Sequence, residues 1–248
     1  MNEIFPILIF NGRPAAGKSE VIDYIKHCPL EERISRFHIG EIEEIDDFHF
    51  LWERFEDDDL IEEMGFPRLI SDRYFHYEGK TYEGYSFKEL WFWNFLIRKI
   101  SFRYSKLLRD KPLLHEKTTL LIEFSRGTEH GGFQSAYSHL SEEILTKAAT
   151  LYISVPWEES LKRNRRRYNP DKPDSGLQHG LEDKKMEKLY KDSDWESWTA
   201  ADPHYLHVKN HKVPYGVFQN FPEITDKPDL LAGHLQELIN RLWTLRKG

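Results

Sequence analysis

The chain has 248 residues, a formal net charge of −7, 39% hydrophobic and 31% charged residues, and one cysteine, Cys28. These values fit a globular protein, long enough for one α/β domain with an insertion or for two small domains, and exclude an internal disulfide framework; the acidic balance argues against general nucleic-acid binding. The longest apolar run, Leu90–Ile97, is too short to cross a bilayer. No membrane association is expected, and the cytoplasm is the default compartment.

In chain order, residues 6–11 form a short apolar run suited to a buried strand. Residues 12–19 read Gly-Arg-Pro-Ala-Ala-Gly-Lys-Ser, a full G-x-x-x-x-G-K-[ST] pattern. Apolar residues at helical spacing follow over 17–27. At ~7% glycine per position, a random chain of this length carries the pattern on the order of once in a hundred. Strand and helix flanks give it the context of a phosphate cradle. Gly12 and Gly17 allow close backbone approach, and successive backbone N–H groups of the loop, through Arg13, Ala15 and Ala16 but not Pro14, which has none, turn toward an anion at the helix start. Lys18 is expected on the β- and γ-phosphates and Ser19 on Mg²⁺.

Residues 36–45 alternate enough to suggest a second strand, and 48–64 a helix. Between them, Asp46 and Asp47 read either as acceptors of a hydroxyl proton or as N-cap and first-turn residues. Residues 65–86 read as loops, and 87–108 as a long aromatic helix. Residues 118–124 are the strongest buried-strand signal and end in Glu123-Phe124-Ser125-Arg126. Ligands gather at the carboxyl ends of strands in such sheets. Glu123 is therefore a candidate metal ligand or base, the alternative being an ion pair with Arg126. Arg126 is itself a candidate contact to substrate or phosphate. A helix over 133–148, a strand over 150–155 and a helix over 157–168 follow.

Arg163, Arg165, Arg166 and Arg167 cluster on that last helix ahead of a Pro/Gly/Asp segment at 169–181. They suggest an arginine-bearing lid over about 163–182 that neutralises charge on a transferred phosphoryl group; the alternative is a solvated basic face. A helix over 183–190, a strand over 213–218 and a closing helix over 229–246 complete the order. The aromatic-rich insertion, about 65–117, reads mostly as core, with Asp72-Arg73 facing a pocket. The histidines show no metal-ligand spacing.

Together, the Gly12–Ser19 loop, Asp46-Asp47-Phe48, Ile122–Arg126 and Arg163–Arg167 resemble the P-loop small-molecule kinases, especially nucleoside and nucleoside-monophosphate kinases. Asp46-Asp47-Phe48 resembles the acidic segment of uridine-kinase-like enzymes. Ile122–Arg126 resembles the Glu-Arg-Ser strand end of deoxynucleoside kinases, with Phe124-Ser125 interposed. The resemblance implies one three-layer domain over 1–248 with a parallel five-stranded sheet ordered 2-3-1-4-5. It also implies ATP and Mg²⁺ as cofactors and a small-molecule acceptor such as a nucleoside or nucleotide. A homodimer is compatible with it. The competing class is a regulatory NTPase without a small acceptor; GTPase and ABC-type signatures are absent. The kinase reading predicts strong loss of turnover in Lys18→Ala and Arg165→Ala.

Overall fold

Fully buried apolar strands leave few places for a sheet to sit except between two helical layers. The computed structural model describes residues 3–167 and 181–247. β1 (Ile7–Gly12) is buried at every position, as is nearly all of β5 (Thr118–Glu123) and β6 (Ala148–Ser154). β1 lies between β5 and β6, parallel to both. β2 (Glu41–Asp46) extends the sheet beyond β5, and β8 (His211–Gln219) extends it beyond β6, again in parallel. β7 (Tyr205–Val208) closes the far edge as the antiparallel partner of β8.

The sheet is therefore mixed and six-stranded, ordered β2-β5-β1-β6-β8-β7. The strand count, and with it the full order, differs from the expected five parallel strands through the antiparallel sixth strand; the five parallel strands alone, β2-β5-β1-β6-β8, run second, third, first, fourth, fifth in their own chain order. The chain doubles back through residues 209–210 and adds an edge strand that buries alternate residues, Leu206 and Val208.

A second difference lies in the insertion. Of residues 65–86, only 65–70 are loop: β3 (Ser71–Tyr77) and β4 (Lys80–Phe87) form an antiparallel hairpin turning at Glu78-Gly79. Both turn residues have positive φ, the geometry a tight hairpin needs. The second strand is also shorter than expected. Residues 30–37 form a helix, and only Glu41–Asp46 pair in the sheet. The expected helix over 133–148 is two short ones followed by the start of β6.

One helical layer contains α1 (Lys18–His27), α2 (Leu30–Phe37) and α10 (Pro228–Lys247). They pack on Leu8, Phe10, Leu121 and Leu151. The opposite layer contains α4 (Trp91–Asp110), α5 (Gly132–Ser138), α6 (Glu142–Leu145) and α9 (Trp195–Thr199). They pack on Ile7, Ile9, Leu120 and Ile122. Odd and even residues of β1 thus feed opposite cores, as the period of two requires. A third core joins α3 (Asp47–Glu63), the start of α4, and α8 (Asp183–Tyr190) through Phe55, Phe87, Trp93, Met186 and Tyr190. It places an aromatic annex over the carboxyl ends of the parallel strands. Cys28 is half-buried, and its thiol donates to the Tyr24 carbonyl. No helix among the described residues is long and apolar enough to cross a membrane.

Candidate functional site

The Gly12–Ser19 loop joins β1 to α1, and two glycines set its path. Gly12 has φ 147°, and a Cβ there would lie 2.5 Å from the Ile153 carbonyl oxygen. Gly17 has φ 107°, and a Cβ there would lie 2.4 Å from Asn220 Nδ2. Neither position accommodates a side chain. Asn220 donates to the Ala16 carbonyl at 2.8 Å. Ser160, from α7 (Trp157–Arg167), donates to the Pro14 carbonyl at 2.7 Å. Arg13 turns away from the loop's concave side and donates to the carbonyls of Tyr190, Val155 and Lys191. Arg13 therefore ties the loop to the end of α8 rather than reaching into the cradle. Asn220 and Ser160 escape a sequence reading because they lie far along the chain and in no motif.

Lys18 is only 5% exposed. Its ammonium donates to Ser125 Oγ at 2.9 Å and to the Arg13 carbonyl at 3.1 Å, and lies 3.7 Å from Glu123. Burial pulls the Lys18 pKa below its ordinary value, and Glu123 opposes that shift. Glu123 therefore pairs with Lys18, and the alternative pairing with Arg126 does not occur. Asp46 sits opposite Glu123 in the β2–β5 register. Burial, then the charges of Glu123 and Asp47, push the Asp46 pKa up to about 8. Burial also raises the Glu123 pKa, against the pull of Lys18. Burial holds both carboxyl pKa values up, with neighbouring carboxylates adding to the shift, and a cation bound beside them would lower both.

The two readings of the aspartates resolve into different jobs. Asp46 caps α3, accepting the Phe48 N–H at 2.9 Å, and lines the cavity. Asp47 forms a buried ion pair with Arg126 at 2.6 Å. Arg126 is 2% exposed and also donates to the carbonyls of Ser125 and Trp93. Burial raises the Asp47 pKa while Arg126 opposes it. The pair is a braced strut in the wall of the site.

Of the arginine cluster, only Arg167 lines the cavity, where it pairs with Glu20 at 2.6 Å. Arg163 is buried against Glu159 and donates to the Asn220 carbonyl at 2.8 Å, behind the loop. Arg165 is exposed and pairs with Asp183 at 2.7 Å; Arg166 pairs with Glu223 at 3.2 Å. A helix points residues 163 to 166 in different directions, so one run of arginines cannot all face one ligand. Residues 168–180, most of the expected lid, lie outside the described residues. Asp72 lines the cavity, whereas Arg73 turns out to Asp59 and Glu62.

The cavity has a volume of about 470 Å³ and runs from Lys18 and Ser19 past Asp46, Glu123 and Arg126 into the aromatic annex. There Phe55 and Tyr85 stack at 4.9 Å, with Trp52 edge-on to both. Hard oxygen donors for a magnesium ion are present in Ser19, Glu123 and Asp46. No group of three His, Cys, Asp or Glu able to hold a metal exists among the described residues. That donor set fits Mg²⁺, which binds through one or two carboxylates plus substrate phosphates, and not a dedicated protein cage.

No protein-family model matches the chain, and no curated protein matches it. Among solved structures it is similar to the crystal structure of APE1195, at 14% identity over 96% of this chain and 98% of that one, with a TM-score of 0.39. It is also similar to an unliganded sugar kinase from Janibacter sp. HTCC2649, at 11% identity over 97% and 98%, with a TM-score of 0.39. Likeness at this level carries no inference about this chain's activity.

Proposed function

We propose that this chain is a P-loop kinase that transfers a phosphoryl group from ATP to a hydroxyl of a small-molecule acceptor. The observation that carries the reading is the continuity of one cavity: it begins at the glycine loop and Lys18, passes Asp46 and Glu123, and ends in an aromatic chamber. A nucleotide-only regulator has no need of that second chamber. Loop N–H groups and Lys18 receive the triphosphate, Lys18 leaving Ser125 and Glu123 to do so. Ser19 and Glu123 are the residues that would hold Mg²⁺, which screens phosphate charge when bound.

The acceptor hydroxyl lies at Asp46. Its oxygen forms the new bond to the γ-phosphorus, and the bond to the β–γ bridging oxygen breaks. ADP leaves with that electron pair, and the hydroxyl proton passes to the ionised form of Asp46, which predominates above about pH 8 in the unliganded chain. Arg126, fixed by Asp47 and the Trp93 carbonyl, faces the same cavity as a preorganised positive charge. Arg167 adds a second positive charge from α7.

Isothermal titration with ATP·Mg²⁺ tests the first half of this reading. The wild type binds, and Lys18→Ala weakens binding by at least about tenfold, the loss of one charge-assisted contact. No binding by the wild type, or equal binding by both proteins, contradicts it.

A further inference from the structure

Six cationic side chains line the cavity, and five of them have a carboxylate within ion-pair distance. Lys18 faces Glu123 at 3.7 Å, Lys88 Asp72 at 3.8 Å, Arg126 Asp47 at 2.6 Å, Arg167 Glu20 at 2.6 Å and Lys188 Glu129 at 2.5 Å. Lys185 alone has none among the described residues. It stands on α8 in the aromatic chamber. Its ammonium donates to the Tyr85 carbonyl and lies 5.9 Å from the centre of the Phe55 ring.

The chemistry of that position is specific. A lysine carries three donors, and one carbonyl occupies only one of them. A half-buried ammonium surrounded by rings is costly without an anion. No described residue supplies one within ion-pair distance, Glu182 acting only from farther away, although every other cation in the cavity has one. The Asp46–Glu123 end is acidic and suits a neutral hydroxyl and a metal-bound phosphate. The Lys185 end is cationic and apolar.

We propose that Lys185 is the specificity residue for an acceptor bearing an anionic oxygen group, carboxylate or phosphate, on a flat or apolar body. The hydroxyl to be phosphorylated is at the opposite end. The body packs on the Phe55–Tyr85 stack, the anion pairs with Lys185, and the hydroxyl reaches Asp46. This rests on the kinase reading for the identity of the acidic end.

The test is ligand-observed NMR titration with three probes: 4-(hydroxymethyl)benzoate, 4-(hydroxymethyl)phenyl phosphate and neutral benzyl alcohol. The wild type is expected to bind at least one anionic probe about tenfold tighter than benzyl alcohol, the worth of one charge-assisted hydrogen bond. The tighter anionic probe assigns the group as carboxylate or phosphate. Lys185→Met abolishes the preference and Lys185→Arg retains most of it. Equal binding of charged and neutral probes by the wild type overturns the proposal, whether or not the methionine variant folds. So does a preference that survives in a folded Lys185→Met. Failure of the kinase reading is separate: it shows as an absence of Lys18-dependent ATP·Mg²⁺ binding, with the Lys185-dependent probe preference intact.

Discussion

Asp46 ends β2 with its carboxylate beside Glu123, whereas Asp47 begins α3 bound to Arg126. The two aspartates therefore fail differently when replaced. In the folded chain Asp46 holds its proton up to about pH 8, against an ordinary value of 3.8. Between those values the folded state keeps a proton that the unfolded state has lost, so stability falls as pH rises from about 4 to about 8. Asp46→Asn removes the Asp46 share of that dependence, leaving the shares of Glu123 and Asp47. Differential scanning fluorimetry should show the wild-type melting temperature falling more steeply across this window than the variant's; parallel curves contradict the assignment. The same variant loses about 10²–10⁴-fold in turnover if Asp46 takes the hydroxyl proton. Asp47→Ala instead strands Arg126 as a buried charge and costs about 3–5 kcal/mol of stability in chemical denaturation. Lys18, Ser19 and Glu123 were legible in the sequence because motif spacing and strand ends place them. Asn220 and Lys185 were not, because their contacts with Ala16 and Tyr85 span 204 and 100 residues.

At the scale of elements, the glycine loop, α1, β5 and α10 follow from local pattern, since each has an apolar run or helical spacing that one environment satisfies. The β3–β4 hairpin does not. Its aromatic residues occur on both faces, and Gly79 and Gly84 interrupt the alternation that marks a strand. Its anchor is also invisible to local pattern: Asp58, buried on α3, accepts the N–H groups of Leu69, Ile70 and Ser71 and the Ser71 hydroxyl. Asp58→Ala is expected to cost about 2–3 kcal/mol and to raise amide hydrogen exchange through residues 69–87. Exchange confined to the hairpin tip contradicts that role. The arginine helix carries a comparable lesson. Composition shows a basic cluster, but only the helical phase reveals that Arg167 faces the cavity while Arg165 meets Asp183. Steady-state assays of Arg167→Ala should show about a tenfold or greater loss and Arg165→Ala little change, the reverse of what charge density alone predicts. Equal losses in both would return weight to a lid built by the whole cluster.

The molecule as a whole sets the glycine-rich loop and an aromatic chamber at the carboxyl end of one sheet, in one cavity. The alternation of strands and helices made an α/β sheet legible; the antiparallel edge strand β7 was not, because its four residues carry too short a pattern to read. Long-range ties complete the site: Arg13 bonds the carbonyls at the end of α8, and Ser160 and Asn220 hold the loop backbone from two further segments. The central claim is transfer to an acceptor rather than nucleotide binding alone. Its most direct measurement is ADP release by the purified wild type and Lys18→Ala with ATP·Mg²⁺, across a panel of nucleosides, nucleotides, sugars and hydroxylated aromatic acids. The account predicts slow release without acceptor, strong stimulation by at least one compound that gains phosphate, and a loss of about 10²–10³-fold in Lys18→Ala. Hydrolysis at one rate whatever the acceptor, with no phosphorylated product, would contradict it.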